Sequence, residues 1–158
     1  MPGPASNASA AAFHEWHRDG FTVSTDPARL DLDVIHRFLA TSYWATGIPR
    51  PVVERSIANS IPFGVYDGAA IVGFARVITD RATFGYLGDV FVLESHRGRG
   101  LSKWLMECVH AHPDLQGFRR WVLLTRDAHE LYRQHGWNAI AAPDRYMERW
   151  DPEVYRRG

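Results

Sequence analysis

Residues 84–112 limit what this chain can fold into more than any other stretch. Phe84–Leu93 is apolar on both alternating faces except at Asp89, the pattern of a central strand covered on both sides. Leu101–His112 then changes period: Leu101, Trp104, Leu105, Cys108 and Val109 fall at i, i+3, i+4, i+7 and i+8, the stripe of a core-facing helix that His112-Pro113 ends. Between them, Arg97-Gly98-Arg99-Gly100 puts two glycines just before a helix N-terminus. The N–H groups there have no intrahelical partner, and without Cβ atoms an anion can approach the main chain. The segment Val92–Ser102 therefore reads as a phosphate or pyrophosphate nest, to which Arg97 and Arg99 add charge-assisted contacts. A sharp turn without a ligand has the same composition. A P-loop would need Gly-x-x-x-x-Gly-Lys-Ser/Thr, and a dinucleotide fingerprint a third glycine and repeating βαβ units; neither is present.

The remaining sequence supplies a sheet and helices to hold this turn. Phe13–Arg18 and Phe21–Ser24 flank Asp19-Gly20, a hairpin dipeptide. Asp31 caps a predicted helix through about Tyr43, with Leu32, Ile35 and Leu39 on one face, and Pro51 opens a second helix through about Asn59. Phe63–Tyr66 and Ala70–Ile78 read as strands joined by a two-residue turn at Asp67-Gly68, and Trp121–Thr125 as a short strand. Asp127-x-x-Glu130 has the form of a capping box for a helix ending at Gly136, and Trp137–Ala141 and Arg145–Trp150 are expected as terminal strands. The fold class expected is α+β (mixed α/β): a central, mostly antiparallel mixed sheet flanked by helices. Residues 1–12, rich in Ala, Ser, Pro and Gly, are expected as a disordered tail, and 13–158 as a single domain.

Charge and composition narrow the function. Eighteen basic residues balance eighteen acidic ones, so no long-range field favours nucleic acid or an anionic membrane. No run approaches the roughly 18 apolar residues of a membrane span. A single cysteine, Cys108, fits a reducing, cytoplasmic setting. The groupings His14/His17 and His110/His112 lack a supporting ligand set, so no metal is expected.

Arg97-x-x-Gly100-x-Ser102 resembles the Arg/Gln-x-x-Gly-x-Gly/Ala signature of the GNAT N-acetyltransferase superfamily, with Ser102 a small departure from the usual Gly/Ala. Leu131-Tyr132-Arg133-Gln134-His135-Gly136-Trp137 is similar to the family's later Phe-Tyr-x-x-x-Gly-Phe segment, about 30 residues downstream. The resemblance covers roughly residues 63–147. It implies acetyl-CoA as co-substrate and direct transfer of the acetyl group to an amine in a ternary complex. Amides of Gly98, Arg99, Gly100, Leu101 and Ser102 would hold the pyrophosphate, together with Arg97. The main chain at Val90, Phe91 and Val92 would pair with the pantetheine arm, where an N–H can stabilise the tetrahedral oxyanion. A non-catalytic acyl-CoA-binding or sensor domain on the same fold is the alternative.

Tyr132 matches the family position that protonates the departing thiolate; as a structural residue it would be a core aromatic. Asp89, the only ionisable group in its strand, reads either as an ammonium-binding or basic residue or as half of an ion pair with Arg76. His96 and His129 lie close to the two motifs as proton relays or as solvated histidines. Cys108 lies in a core stripe, which disfavours a covalent route. Tyr43, Trp44, Ile48, Arg50, Phe74, Arg76 and Tyr86 are the candidates, with Asp89, for lining the acceptor site. The resemblance implies a small-molecule or peptide amine as acceptor, and a homodimer is compatible with the sequence.

Overall fold

A computed structural model describes residues 12–157. Its centre is a six-stranded sheet in sequential order. Strands β1 (Glu15–Arg18), β2 (Phe21–Ser24), β3 (Ile61–Asp67), β4 (Ala70–Thr79) and β5 (Phe84–Val92) pair antiparallel, and β6 (Arg120–Leu123) pairs parallel with β5. The mixed, mostly antiparallel sheet expected from the sequence is therefore present. The β1–β2 turn sits at Asp19-Gly20, whose φ values of 50° and 81° suit the right-handed twist of a two-residue hairpin. The β3–β4 turn falls one residue later than expected, at Gly68-Ala69, because Asp67 still pairs with Ala70.

Helices cover both faces. α3 (Leu101–Ala111) crosses from β5 to β6 and buries Leu101, Trp104, Leu105, Cys108 and Val109 against Val65, Val77, Leu87 and Val92. Each such side chain contributes about 1.5–3 kcal/mol through removal from water. On the opposite face α1 (Leu32–Thr41) and α2 (Arg50–Ala58) pack Ile35, Leu39, Val53 and Ile57 on Phe74 and Phe91. Asp31 caps α1 by accepting from the Asp33 and Val34 amides. α1 ends before Tyr43, because both the amide and the hydroxyl of Ser42 donate to the Leu39 carbonyl. That early stop releases Tyr43 and Trp44 into the following loop.

Three expectations for the last third are corrected. The helix α4 spans only His129–Arg133 and has no capping box: the Ala128 amide donates to the Thr125 hydroxyl, and Glu130 pairs with Arg133 instead of reaching back. Trp137–Ala141 forms no strand. Its first residue is drawn toward α3, where the Trp137 indole N–H donates to His110 Nε2 at 3.0 Å. Arg145–Trp150 forms no strand either; Pro143–Arg145 is a short 3₁₀ turn, and Tyr146, Met147 and Trp150 are exposed.

Candidate active site

The site begins where β5 and β6 part. Their parallel pairing runs from Phe84 with Arg120 to Leu87 with Leu123 and then stops, while β5 continues to Val92. Residues 88–92 thus have an edge with no neighbouring strand. On the other side of β5 the register with β4 slips: Phe74 faces Phe91, yet Arg76 faces Gly88, so β5 carries one extra residue. This is a β-bulge, and Asp89 occupies it with a left-handed backbone at φ 55°. The Leu93 amide donates to Val72 of β4, so strand alternation turns the main-chain groups of Val92 to the open edge. The Val92 carbonyl accepts from Arg97 Nε at 3.1 Å, and by the same alternation its N–H faces that edge.

At the end of β5 the chain makes the glycine turn. Gly98 and Gly100 have φ of 77° and 74°, and a Cβ built on either would meet no atom within 4 Å. Steric room inside the protein is therefore not what demands glycine. Backbone conformation and an open approach to the amides are. Gly100 is the N-cap of α3 and provides no side-chain bond, and the first intrahelical bond is that of the Trp104 amide to the Gly100 carbonyl. The amides of Leu101, Ser102 and Lys103 are left unpaired at a positive helix end. They line a groove of about 220 Å³ with Val92, His96, Arg97, Gly98 and Gly100. These features fit a pyrophosphate. Lys103 lies just beyond the motif reading, and His96, read from the sequence as a relay or a solvated histidine, is in the groove. His96 is held between Asp67 Oδ2 (2.9 Å) and the Ser95 hydroxyl (2.8 Å), partners that nothing in the local sequence pattern signals.

Beyond the bulge, on the α1/α2 face, the chain assembles a polar cluster. Arg76 Nε donates to Asp89 Oδ2 at 2.6 Å, and Trp44 Nε1 donates to Asp89 Oδ1 at 2.9 Å. The ion-pair reading of Asp89 is the geometry found. Tyr86 lies beside this pair; burial and the Asp89 charge raise its phenol above the ordinary tyrosine range. Tyr43 packs edge-on against Trp44, with ring centroids 5.0 Å apart. So Tyr43, Trp44, Arg76, Tyr86 and Asp89 come together. Arg50 does not join them: at the start of α2 it pairs with Asp33 of α1 and with Glu54 one turn on. Phe74 is fully buried beneath the cluster, 6.0 Å from Phe91, which in turn stacks on Phe38 at 3.9 Å; Ile48 is buried too.

Tyr132 projects from α4 on the β6 side of the opening, 8% exposed, with Trp137 edge-on at 6.1 Å. Burial pushes its phenol up to about 12, with smaller contributions from Tyr43 and Asp127. Its hydroxyl has no hydrogen bond among the described residues, yet only Tyr66 Oη and His135 Nε2 are enclosed without a partner there. Open space therefore adjoins the Tyr132 hydroxyl. Cys108 is buried in the α3 core, and burial pushes its thiol to about 12, the environment of an inert thiol. Among the described residues no three His, Cys, Asp or Glu side chains are grouped to hold a metal, and no helix is long and apolar enough to cross a membrane.

Known proteins resemble this chain in sequence and fold. Residues 58–139 match the family model described as an acetyltransferase (GNAT) domain. A candidate acetyltransferase of Gibberella zeae is 35% identical over 140 residues, covering 74% of this chain and 78% of that protein. The crystal structure of a candidate GNAT-family acetyltransferase from Xanthomonas campestris is 52% identical with a TM-score of 0.84, over 85% of this chain and 96% of that one. A GNAT-family acetyltransferase from Elizabethkingia anophelis, solved with acetyl-CoA bound, has the same fold at 14% identity and a TM-score of 0.61, over 85% of this chain and 91% of that one. The split sheet, the glycine cradle and these likenesses have one explanation: the chain belongs to the GNAT acetyltransferase family.

Proposed function

We propose that the protein is an acetyl-CoA-dependent N-acetyltransferase that passes the acetyl group directly to an amine in a ternary complex. One observation carries this reading. A main-chain anion cradle at Gly98 and Gly100–Lys103, the unpaired edge of β5 and the Asp89 bulge follow one another along a single strand and its turn. A thioester with a long amide-bearing arm and a pyrophosphate suits that sequence of sites. The bound acetyl-CoA of the Elizabethkingia anophelis relative supports the same donor.

In this reading the cradle amides and the α3 dipole take the pyrophosphate, and the edge-facing N–H of Val92 pairs with the arm. The acceptor amine enters beside the cluster of Trp44, Asp89 and Arg76. Its nitrogen attacks the thioester carbonyl carbon, the carbon–sulfur bond breaks, and the amine's surplus proton leaves to solvent. The Tyr132 phenol donates a hydrogen bond to the departing sulfur. A phenol raised to about 12 is a weaker acid than a free tyrosine. Full proton transfer to a thiolate, whose ordinary value is about 8.5, is uphill until the phenolate is itself stabilised. The first contribution of Tyr132 is therefore a hydrogen bond, with the proton following. The reaction needs no nucleophile from Cys108.

Thiol release from acetyl-CoA with a panel of amines, amino acids and short peptides tests the reading. Acceptor-dependent release is expected. Binding of CoA, seen as a raised melting temperature, with no turnover across the panel would favour a non-catalytic CoA-binding domain. Absence of any CoA effect on melting would remove the donor assignment as well.

A further inference from the structure

The acceptor mouth carries a cation that the transfer chemistry does not use. Arg126 follows β6, on the far side of the opening from β5. Its amide donates to the Tyr43 hydroxyl at 3.2 Å, and its guanidinium lies 3.9 Å from the centre of the Tyr43 ring. Tyr43 and Trp44 are adjacent, and Trp44 holds Asp89. The Tyr43–Arg126 contact joins segments 83 residues apart, so it ties the end of α1 to the loop after β6 across the mouth of the cleft.

Of the charges at this mouth, one pair is closed and Arg126 is not part of it. The Asp89 carboxylate is already matched by Arg76. Arg126 forms no ion pair among the described residues: Asp127 beside it pairs with nothing within ion-pair distance either, and lies near enough to Tyr132 to raise its phenol. Stacking on Tyr43 fixes the guanidinium plane and leaves its N–H fork free, the geometry that accepts two oxygens of a carboxylate or phosphate. Among the described residues, Arg76 commits only Nε to a partner.

We infer that the acceptor is an amine that also bears an anionic group, and that Arg126 is the residue that reads it. The inference rests on the proposed N-acetyltransfer. The ammonium end would lie toward Asp89, and the anion toward Tyr43 and Arg126.

Matched acceptor pairs test this by thiol release with acetyl-CoA: amino acids against their C-terminal amides, and phosphoethanolamine against ethanolamine. Wild type is expected to favour the anionic member of one pair by about tenfold or more in kcat/KM, the scale of a charge-assisted bond. The favoured pair tells carboxylate from phosphate. Arg126→Gln should abolish that preference through KM and leave the neutral member within about twofold, while Arg126→Lys, a point charge without the fork, restores part of it. Neutral members used as well as anionic ones by wild type, or a preference unchanged in Arg126→Gln, would overturn the inference alone. No turnover of any pair, with CoA still raising the melting temperature, would instead remove the transfer reading and this inference with it.

Discussion

Arg76 and Asp89 close an ion pair of 2.6 Å across the one place where β4 and β5 fall out of register. Asp89 reaches it through a left-handed backbone, and the two side chains are only 16% and 10% exposed. With a guanidinium on one oxygen and an indole N–H on the other, this carboxylate is a fixed charge beside the cleft and is poorly free to act as a roaming base. Its spare lone pairs still suit an ammonium.

Asp89→Asn should therefore cost stability as well as activity. Asparagine tolerates the left-handed backbone and can accept from Trp44, but it leaves the largely buried Arg76 without a counter-charge. Breaking such a buried pair costs about 3–5 kcal/mol. The double variant Arg76→Met/Asp89→Asn should regain most of that loss in denaturant unfolding, since neither charge is then stranded. Equal losses in single and double variants would assign the cost to the bulge backbone.

Gly100→Ala should weaken CoA binding without a packing defect. An alanine Cβ there meets open space, but its left-handed backbone costs about 1–2 kcal/mol, and relaxing it re-aims the amides of α3. Gly117 is the control: its φ is also 74° and its surroundings are equally open, yet it lies outside the groove. Calorimetry with CoA should show about tenfold weaker binding for Gly100→Ala and no change for Gly117→Ala. Equal effects on CoA affinity would mean that backbone strain alone is being measured.

These residues also mark how far the sequence could be read. Gly98 and Gly100 were legible because their task is local: a strand, a positive-φ turn and a striped helix are all short-range patterns. The buried stripe of α3 was legible for the same reason. Asp89 was visible as an anomaly in an apolar strand, but its bulge depends on the register with β4, which no local pattern encodes. Arg126 left no signal at all. Its partner, Tyr43, is distant in sequence, and the contact exists only because Ser42 stops α1 early. The expected strands after Trp137 failed because alternation cannot show that the indole is tied to His110.

Tyr132→Phe should lower kcat by about 100-fold, at the modest end of general-acid contributions, with little change in CoA affinity. Because burial holds the phenol near 12, the pH–rate profile of the wild type should show no falling limb from Tyr132 near pH 10. A Tyr132→Phe enzyme at full rate would remove the hydrogen bond to sulfur from the mechanism. A wild-type limb at pH 10 that vanishes in the variant would show that the cleft wets the phenol more than its burial implies.

The bond between Trp137 and His110 should make the region around Tyr132 acid-sensitive. An indole N–H can only donate, so His110 Nε2 must accept, which requires a neutral ring. Burial first, and His135 second, hold the His110 pKa below its ordinary 6.5. His112 is lowered in the same direction by burial and by His14. With the folded value below the unfolded one, the unfolded chain takes up protons first, so stability is full above about pH 6.5 and is lost as the pH falls below it. Trp137 also donates its amide to the Tyr132 carbonyl and packs on the Tyr132 ring, so loosening it should release the phenol before the whole fold melts. Tryptophan emission and the rate of acetyl transfer should thus change together between pH 7 and pH 5. His110→Gln keeps an acceptor for the indole and cannot titrate in that range, so its melting temperature should vary less steeply with pH. Parallel melting profiles for wild type and His110→Gln would place the acid sensitivity elsewhere, with the His14–His112 pair the next group to vary.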